Sequence, residues 1–110
     1  MYLSGEVWYS FFPKDEDKTQ TMERPCVIVC DAGDEVVAIK LTKKDPRDED
    51  AFDVPIIKWE EAGLKYPSTA RVSKYEFVKK AQILNRKGKL DPADESRVAV
   101  SLQRYIDSQE

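Results

Sequence analysis

Five apolar residues, Cys26-Val27-Ile28-Val29-Cys30, run without a break, and Arg24-Pro25 stands directly in front of them. A short apolar run rich in β-branched residues predicts a buried strand rather than a helix. Proline at its first position is compatible with that reading, because the missing N–H costs least at a strand's beginning. Around this run the chain supplies further short strands. Residues 5–12 are aromatic and β-branched. In residues 35–42, Val37, Ile39 and Leu41 alternate with Val36, Ala38, Lys40 and Thr42, so Thr42 ends the strand on the face of Lys40. Residues 53–57 predict another short strand, and 58–63 a single helical turn closed by Gly63. Residues 68–80 read as one strand, with Ala70 and Val72 buried and Phe77 a further candidate. Residues 81–90 read as a short strand with a turn at Gly88. Polar stretches 13–23 and 43–52 read as exposed loops.

One helix is expected, at the C-terminus. Asp91 suits the N-cap and Pro92 the first helical position, while Asp94 and Glu95 face the positive end of the helix dipole. Val98, Leu102, Tyr105 and Ile106 form an apolar stripe at helical spacing, read as a core-packing face. Many short strands followed by one helix predict a mainly β fold, a compact barrel with helices added. At 110 residues the chain is expected to be one domain, 1–110, large enough for a core without disulfides or metal.

Several function classes are excluded by composition. The chain has no histidine and two cysteines, which rules out His-based triads and dyads and any zinc site built from His or four Cys. Cys26 and Cys30, four apart on one strand, are too distant to pair and are expected on one buried face. Net charge is −3, which leaves room for a local basic groove. No apolar run approaches a membrane span, and the first residues lack the pattern of a signal peptide, so a cytoplasmic location without membrane contact is expected.

Five segments, taken in order, carry a resemblance. "GEVW", "RPCVIV", "AIKLT", "AGLKYPSTARVSK" and "KGKLDPADESRVAVSLQRYI" resemble the MazF/PemK family of toxins, the endoribonucleases of bacterial toxin–antitoxin pairs. The resemblance implies an SH3-like barrel of the CcdB/PemK toxin type with a C-terminal helix, and a homodimer. It also implies a sequence-selective endoribonuclease that cleaves single-stranded RNA, often mRNA, without metal or cofactor and is neutralised by a cognate antitoxin. Residue by residue, it places the catalytic arginine on Arg24, the catalytic threonine on Thr42 and a recurrent serine on Ser68. Where many members carry Gly-Ser-Glu-Gln-x-Gly before the Arg-Pro, this chain has "DKTQTM", a change in the loop that lies over RNA in the family.

The chemistry of the two residue types agrees with those roles. A guanidinium presents a rigid fork of donors to two phosphate oxygens, and a threonine hydroxyl adds another. Both suit stabilisation of a phosphorane. Arginine, always protonated, suits proton abstraction poorly. The general base is left open among Asp15, Glu16, Asp17 and Glu23, for each of which a solvated acidic loop is the simpler reading. Lys40, Lys43, Lys44 and Arg47 surround Thr42, with Arg71 and Lys74 further along. They read either as an RNA phosphate-binding patch or as scattered surface cations. Trp8, Tyr9, Phe11 and Phe12 are candidates for base stacking, although strand one must bury some of them. The acidic stretch "DPRDED" reads as a solvated loop in preference to a Mg²⁺ site. A non-catalytic or degenerate barrel of the same fold, binding nucleic acid or a protein target as gyrase-directed CcdB-like toxins do, is the alternative function.

Overall fold

The computed structural model describes residues 1–110. Seven antiparallel strands are followed by one helix: β1 (Glu6–Pro13), β2 (Thr21–Ala32), β3 (Glu35–Thr42), β4 (Asp53–Ile56), β5 (Ser68–Arg71), β6 (Glu76–Lys79), β7 (Ile83–Lys89) and α1 (Pro92–Ser108). The sheet order is β4-β5-β3-β2-β1-β7, with β6 also pairing to β3. β3 is therefore the hub, and β2, β5 and β6 all lie against it.

The hub is covered on both faces. Ile39 and Leu41 join Val7, Val27, Val54, Ile56, Val72, Leu90 and Val98 in the larger core. Val36 and Ala38 point the other way, into a smaller core with Phe12, Cys26, Ile28, Val78 and Ile83. This explains why residues 26–28 read as continuously apolar: β2 also serves both cores. Lys40 and Thr42 share the parity of Val36 and Ala38, so they extend the small-core face toward its open end, as the alternation predicted.

Four expectations are corrected. β2 starts at Thr21, not Pro25, so Arg24 lies within the strand, opposite Ser10 of β1, rather than at its mouth. The expected single strand over 68–80 is broken by a 3₁₀ turn at Val72–Lys74. Both halves pair with β3, but their registers differ by three residues, the length of the inserted turn. Alternation is reset by the insertion, which buries Val72 and leaves Phe77 exposed. Gly88 is not a turn but part of β7, where the pairing with β1 is irregular. Finally, Cys26 is buried and Cys30 exposed. A register shift between Ile28 and Cys30 in the β2–β3 ladder breaks the period of two.

The turn 58–63 forms as expected and ends on Gly63 at φ +86°. A Cβ there would sit 2.2 Å from the Lys87 carbonyl oxygen, and one on Gly88 would sit 2.4 Å from that of Ala62. The two backbones are in direct contact, which only glycine permits. This contact sets the course of residues 64–68, which line the cleft described below. α1 begins at the predicted cap, with the Asp91 carboxylate accepting from Ala93 N–H at 3.0 Å. Val98 is buried, Leu102 and Tyr105 are partly buried against the large core, and Ile106 at the end of the stripe is exposed.

Candidate active site

The β2–β3 ladder closes at Cys26 opposite Lys40. Continuing that register by two residues on each strand sets Arg24 against Thr42, while β2 stays paired with β1 as far as Thr21. Pro25, with no N–H to give, stands where the ladder ends. The strands thus part at a defined point and leave a cleft with Arg24 on one wall and Thr42 on the other.

That cleft has two lobes sharing Arg24, Thr42 and Lys44. The larger, about 330 Å³, is walled by Tyr9, Met22, Leu64 and Tyr66, with Ser68 at its base. Glu23 is the carboxylate on its rim. Ser68 donates to the Tyr66 carbonyl at 2.8 Å, which fixes the chain where it brings Tyr66 to the cleft. The Lys43 ammonium lies 4.9 Å from the Tyr66 ring centre and the Lys87 ammonium 4.6 Å from that of Tyr9. Two exposed or half-exposed aromatic rings are thus each held by a cation. The smaller lobe, about 50 Å³, has no apolar wall: Asp15, Lys40 and Arg71 line it with the three shared residues.

Thr42 is buried, and its Oγ1 accepts from Lys44 N–H at 3.3 Å. The hydroxyl hydrogen is left free to donate. Arg24 is half-buried and pairs with no carboxylate, its Nε donating only to the Met22 sulfur at 3.3 Å. Sulfur is a weak acceptor, so the guanidinium keeps its fork available. Lys40 is buried beside Phe12, 5.9 Å from the ring centre, and its ammonium bonds Asp15 at 3.0 Å. The Lys40 hydrogen bond, with Lys74 adding to it, holds the Asp15 carboxyl well below the usual carboxylate range against the opposing effect of burial.

A charged, oxygen-rich molecule with a planar part matches this arrangement. The family model of the PemK-like, MazF-like toxins of type II toxin–antitoxin systems matches residues 3–106. The chain belongs to that family. No curated protein matches it in sequence. Its fold is similar to that of a mycobacterial endoribonuclease in complex with its cognate antitoxin, at 17% identity over 97% of this chain and 96% of that one, TM-score 0.74. It is also similar to Mycobacterium tuberculosis toxin MazF-mt6, at 17% identity over 93% and 96%, TM-score 0.74. A further mycobacterial endoribonuclease gives 17% identity over 96% and 90%, TM-score 0.70. The seven-stranded sheet with a C-terminal helix is thus the MazF-type toxin fold.

In this PemK-like chain most of the expected residues converge. Arg24, Thr42, Lys43, Lys44 and Ser68 line the large lobe, and Lys40 and Arg71 the small one. Arg47 does not belong with them. Its guanidinium bonds Asp53 at 2.8 Å and Asp50 at 2.9 Å, clamping the 43–52 loop to β4. Asp50 also accepts from Ser73. Of that loop's carboxylates, Asp50 is engaged by Arg47 and Ser73, while Asp45, Asp48 and Glu49 are exposed to solvent. Of the stacking candidates, Tyr9 reaches the cleft, Phe12 is core and Phe11 faces solvent elsewhere. Sequence reading did not single out Met22, Leu64, Lys65 or Tyr66. Their signal was faint: residues 64–66 lie in a quoted family segment, but only the Gly63–Gly88 contact brings them beside Arg24.

Proposed function

We propose that the chain is a toxin that cleaves single-stranded RNA endonucleolytically and without metal, and that the Arg24–Thr42 cleft is its active site. The observation that carries this reading is an unpaired guanidinium and a hydroxyl with its hydrogen free, facing each other where two strands part. The scissile phosphate sits between them, and a flanking base enters the large lobe against Tyr9 or Tyr66.

The 2′-oxygen attacks phosphorus and its proton passes to a base. The phosphorane gathers charge that Arg24 and Thr42 bind more tightly than in the ground state. The P–O5′ bond then breaks, and the 5′-oxygen leaves as a hydroxyl with a proton drawn from Arg24 or solvent. The products are a 2′,3′-cyclic phosphate and a 5′-hydroxyl end. Glu23 takes the 2′ proton: it is the carboxylate on the large-lobe rim, whereas Asp15 is already bound by Lys40 and Lys74. Lys43, Lys44 and Ser68 hold neighbouring parts of the strand.

A homodimer and a cognate antitoxin accompany this reading, the latter in keeping with the antitoxin bound in one similar structure. Light scattering tests the first against a monomer of 12.7 kDa. No helix is long and apolar enough to cross a membrane, and the cytoplasm, where mRNA resides, is the proposed compartment.

The deciding experiment incubates the protein with a long single-stranded RNA in EDTA, beside Arg24→Ala and Thr42→Ala. Cuts at defined sites with cyclic phosphate ends, lost in both variants, are expected. Folded protein that leaves RNA of varied sequence intact would sink the reading in favour of a binding barrel.

A further inference from the structure

The small lobe is overfurnished for its present occupant. Arg24, Lys40, Lys44 and Arg71 surround a space with room for only a few waters, about 50 Å³, and a single carboxylate, Asp15, answers four cations. The two oxygens of Asp15 go to Lys40 at 3.0 Å and Lys74 at 3.3 Å. Arg71 is left unserved: its Nε is buried and has no hydrogen-bond partner. Buried polar groups are almost always paired, so this orphan donor marks a missing acceptor.

The cluster is also a poor choice for stability alone. Lys40 is buried on the small-core face, where an apolar residue would avoid the desolvation of an ammonium. Two features of the fold bring the cations together, and a third supplies Asp15. Alternation along β3 puts Lys40 beside Thr42, and the 3₁₀ insertion sets Arg71, just before the turn, and Lys74, its last residue, opposite Lys40. Loop 14–20, closed by Lys14 N–H to the Gln20 carbonyl at 3.0 Å, delivers Asp15 from above. The Asp15 side chain is 47% exposed, so it covers the lobe without being embedded in it.

We propose that this lobe is a second phosphate subsite adjoining the Arg24–Thr42 centre, and that Asp15 fills it as a built-in competitor which the incoming phosphate displaces. The proposal rests on the RNA-cleaving reading for the source of that phosphate. A phosphodiester offers more acceptor oxygens than a carboxylate at the same charge, enough to serve Lys40 and the orphan Arg71 donor together. Displaced, Asp15 moves into solvent with its loop. The loop thereby becomes a latch that discriminates against ligands lacking a second phosphate.

The test measures affinity for inorganic phosphate by calorimetry, and KM for the RNA cleaved in the preceding assay, in wild type and Asp15→Asn. Removing the competing charge is expected to tighten phosphate binding and lower KM roughly three- to tenfold, the range for the partly exposed ion pairs of Asp15 with Lys18, Lys40 and Lys74. Arg71→Gln and Lys40→Met, each checked for folding, are expected to abolish that gain when combined with Asp15→Asn. An unchanged phosphate affinity and KM in Asp15→Asn, or a gain that survives Arg71→Gln, overturns the subsite while leaving RNA cleavage intact. Tighter phosphate binding in a protein that cuts no RNA overturns the assignment to RNA and, with it, the preceding reading.

Discussion

Asp94 offers the sharpest test of how the helix is held. Its side chain is fully buried at the start of α1 and accepts from the backbone N–H groups of Ile57 at 3.0 Å and Lys58 at 2.9 Å. Arg97 bonds the same carboxylate and also donates to the Pro55 carbonyl at 2.9 Å. One carboxylate thus joins α1 to the end of β4, ahead of the turn that leads into the cleft. Replacement by alanine leaves two part-buried backbone donors without their acceptor and removes the carboxylate partner of the partly exposed Arg97. A hydrogen bond to a charged group contributes about 1.5–3 kcal/mol, so losing the two backbone bonds costs about 3–5 kcal/mol. With about 2.1 cal/mol/K of unfolding entropy per residue, the 110-residue chain loses about 4 °C of Tm per kcal/mol, so Asp94→Ala should melt about 12–20 °C lower. Asp94→Asn keeps one acceptor but turns an amide N–H₂ toward the other N–H, and should recover less than half of the loss. Asp91→Ala, which removes the N-cap and a partly exposed ion pair with Lys58, should cost about 1 kcal/mol. The measurements are urea unfolding followed by circular dichroism, and calorimetry. An Asp94→Ala protein no less stable than Asp91→Ala would refute the claim that this carboxylate anchors the helix.

Other expectations can be checked alongside. Arg24→Lys should recover little of the activity lost in Arg24→Ala, each falling about 10²–10³-fold, because a point charge does not reproduce the bidentate fork; near wild-type single-turnover rates for the lysine variant would contradict this. Glu23→Gln should lower the rate and flatten its acid limb, and a pH–rate profile identical to wild type would remove Glu23 as the base. Burial alone would raise the Asp53 carboxyl, but the bonds from Arg47 outweigh it and hold the group below its ordinary value. The stability it contributes is therefore complete above the unfolded value of about 3.9 and lost as pH falls through the lower folded value. The urea midpoint should drop below about pH 4, and less steeply in Asp53→Asn. Native protein should take up one equivalent of iodoacetamide, at exposed Cys30, since burial pushes the Cys26 thiol up to about 12; mass spectrometry of the alkylated peptides decides it.

Local signals carried much of this molecule. The alternation over residues 35–42 fixed the strand and put Lys40 and Thr42 on one face. The Asp91-Pro92 start and apolar stripe fixed the helix, and five ordered segments carried the family resemblance. Each depends on neighbours within a few residues, so each survives in the bare sequence. Other features depend on what a segment meets across space. Thr21–Glu23 falls in the stretch that reads as loop, yet it is strand because β1 offers it a ladder. The 68–80 segment reads as one strand but breaks because β3 accepts its two halves in registers three residues apart. That offset surrounds Lys40 with Arg71 and Lys74, and a two-glycine contact swings Tyr66 beside Arg24. The sequence by itself determined which residues could hold a phosphate. Tertiary structure alone decided which of them meet, because convergence at a cleft is set by ladder register and backbone contact between segments far apart in the chain, to which local periodicity is blind.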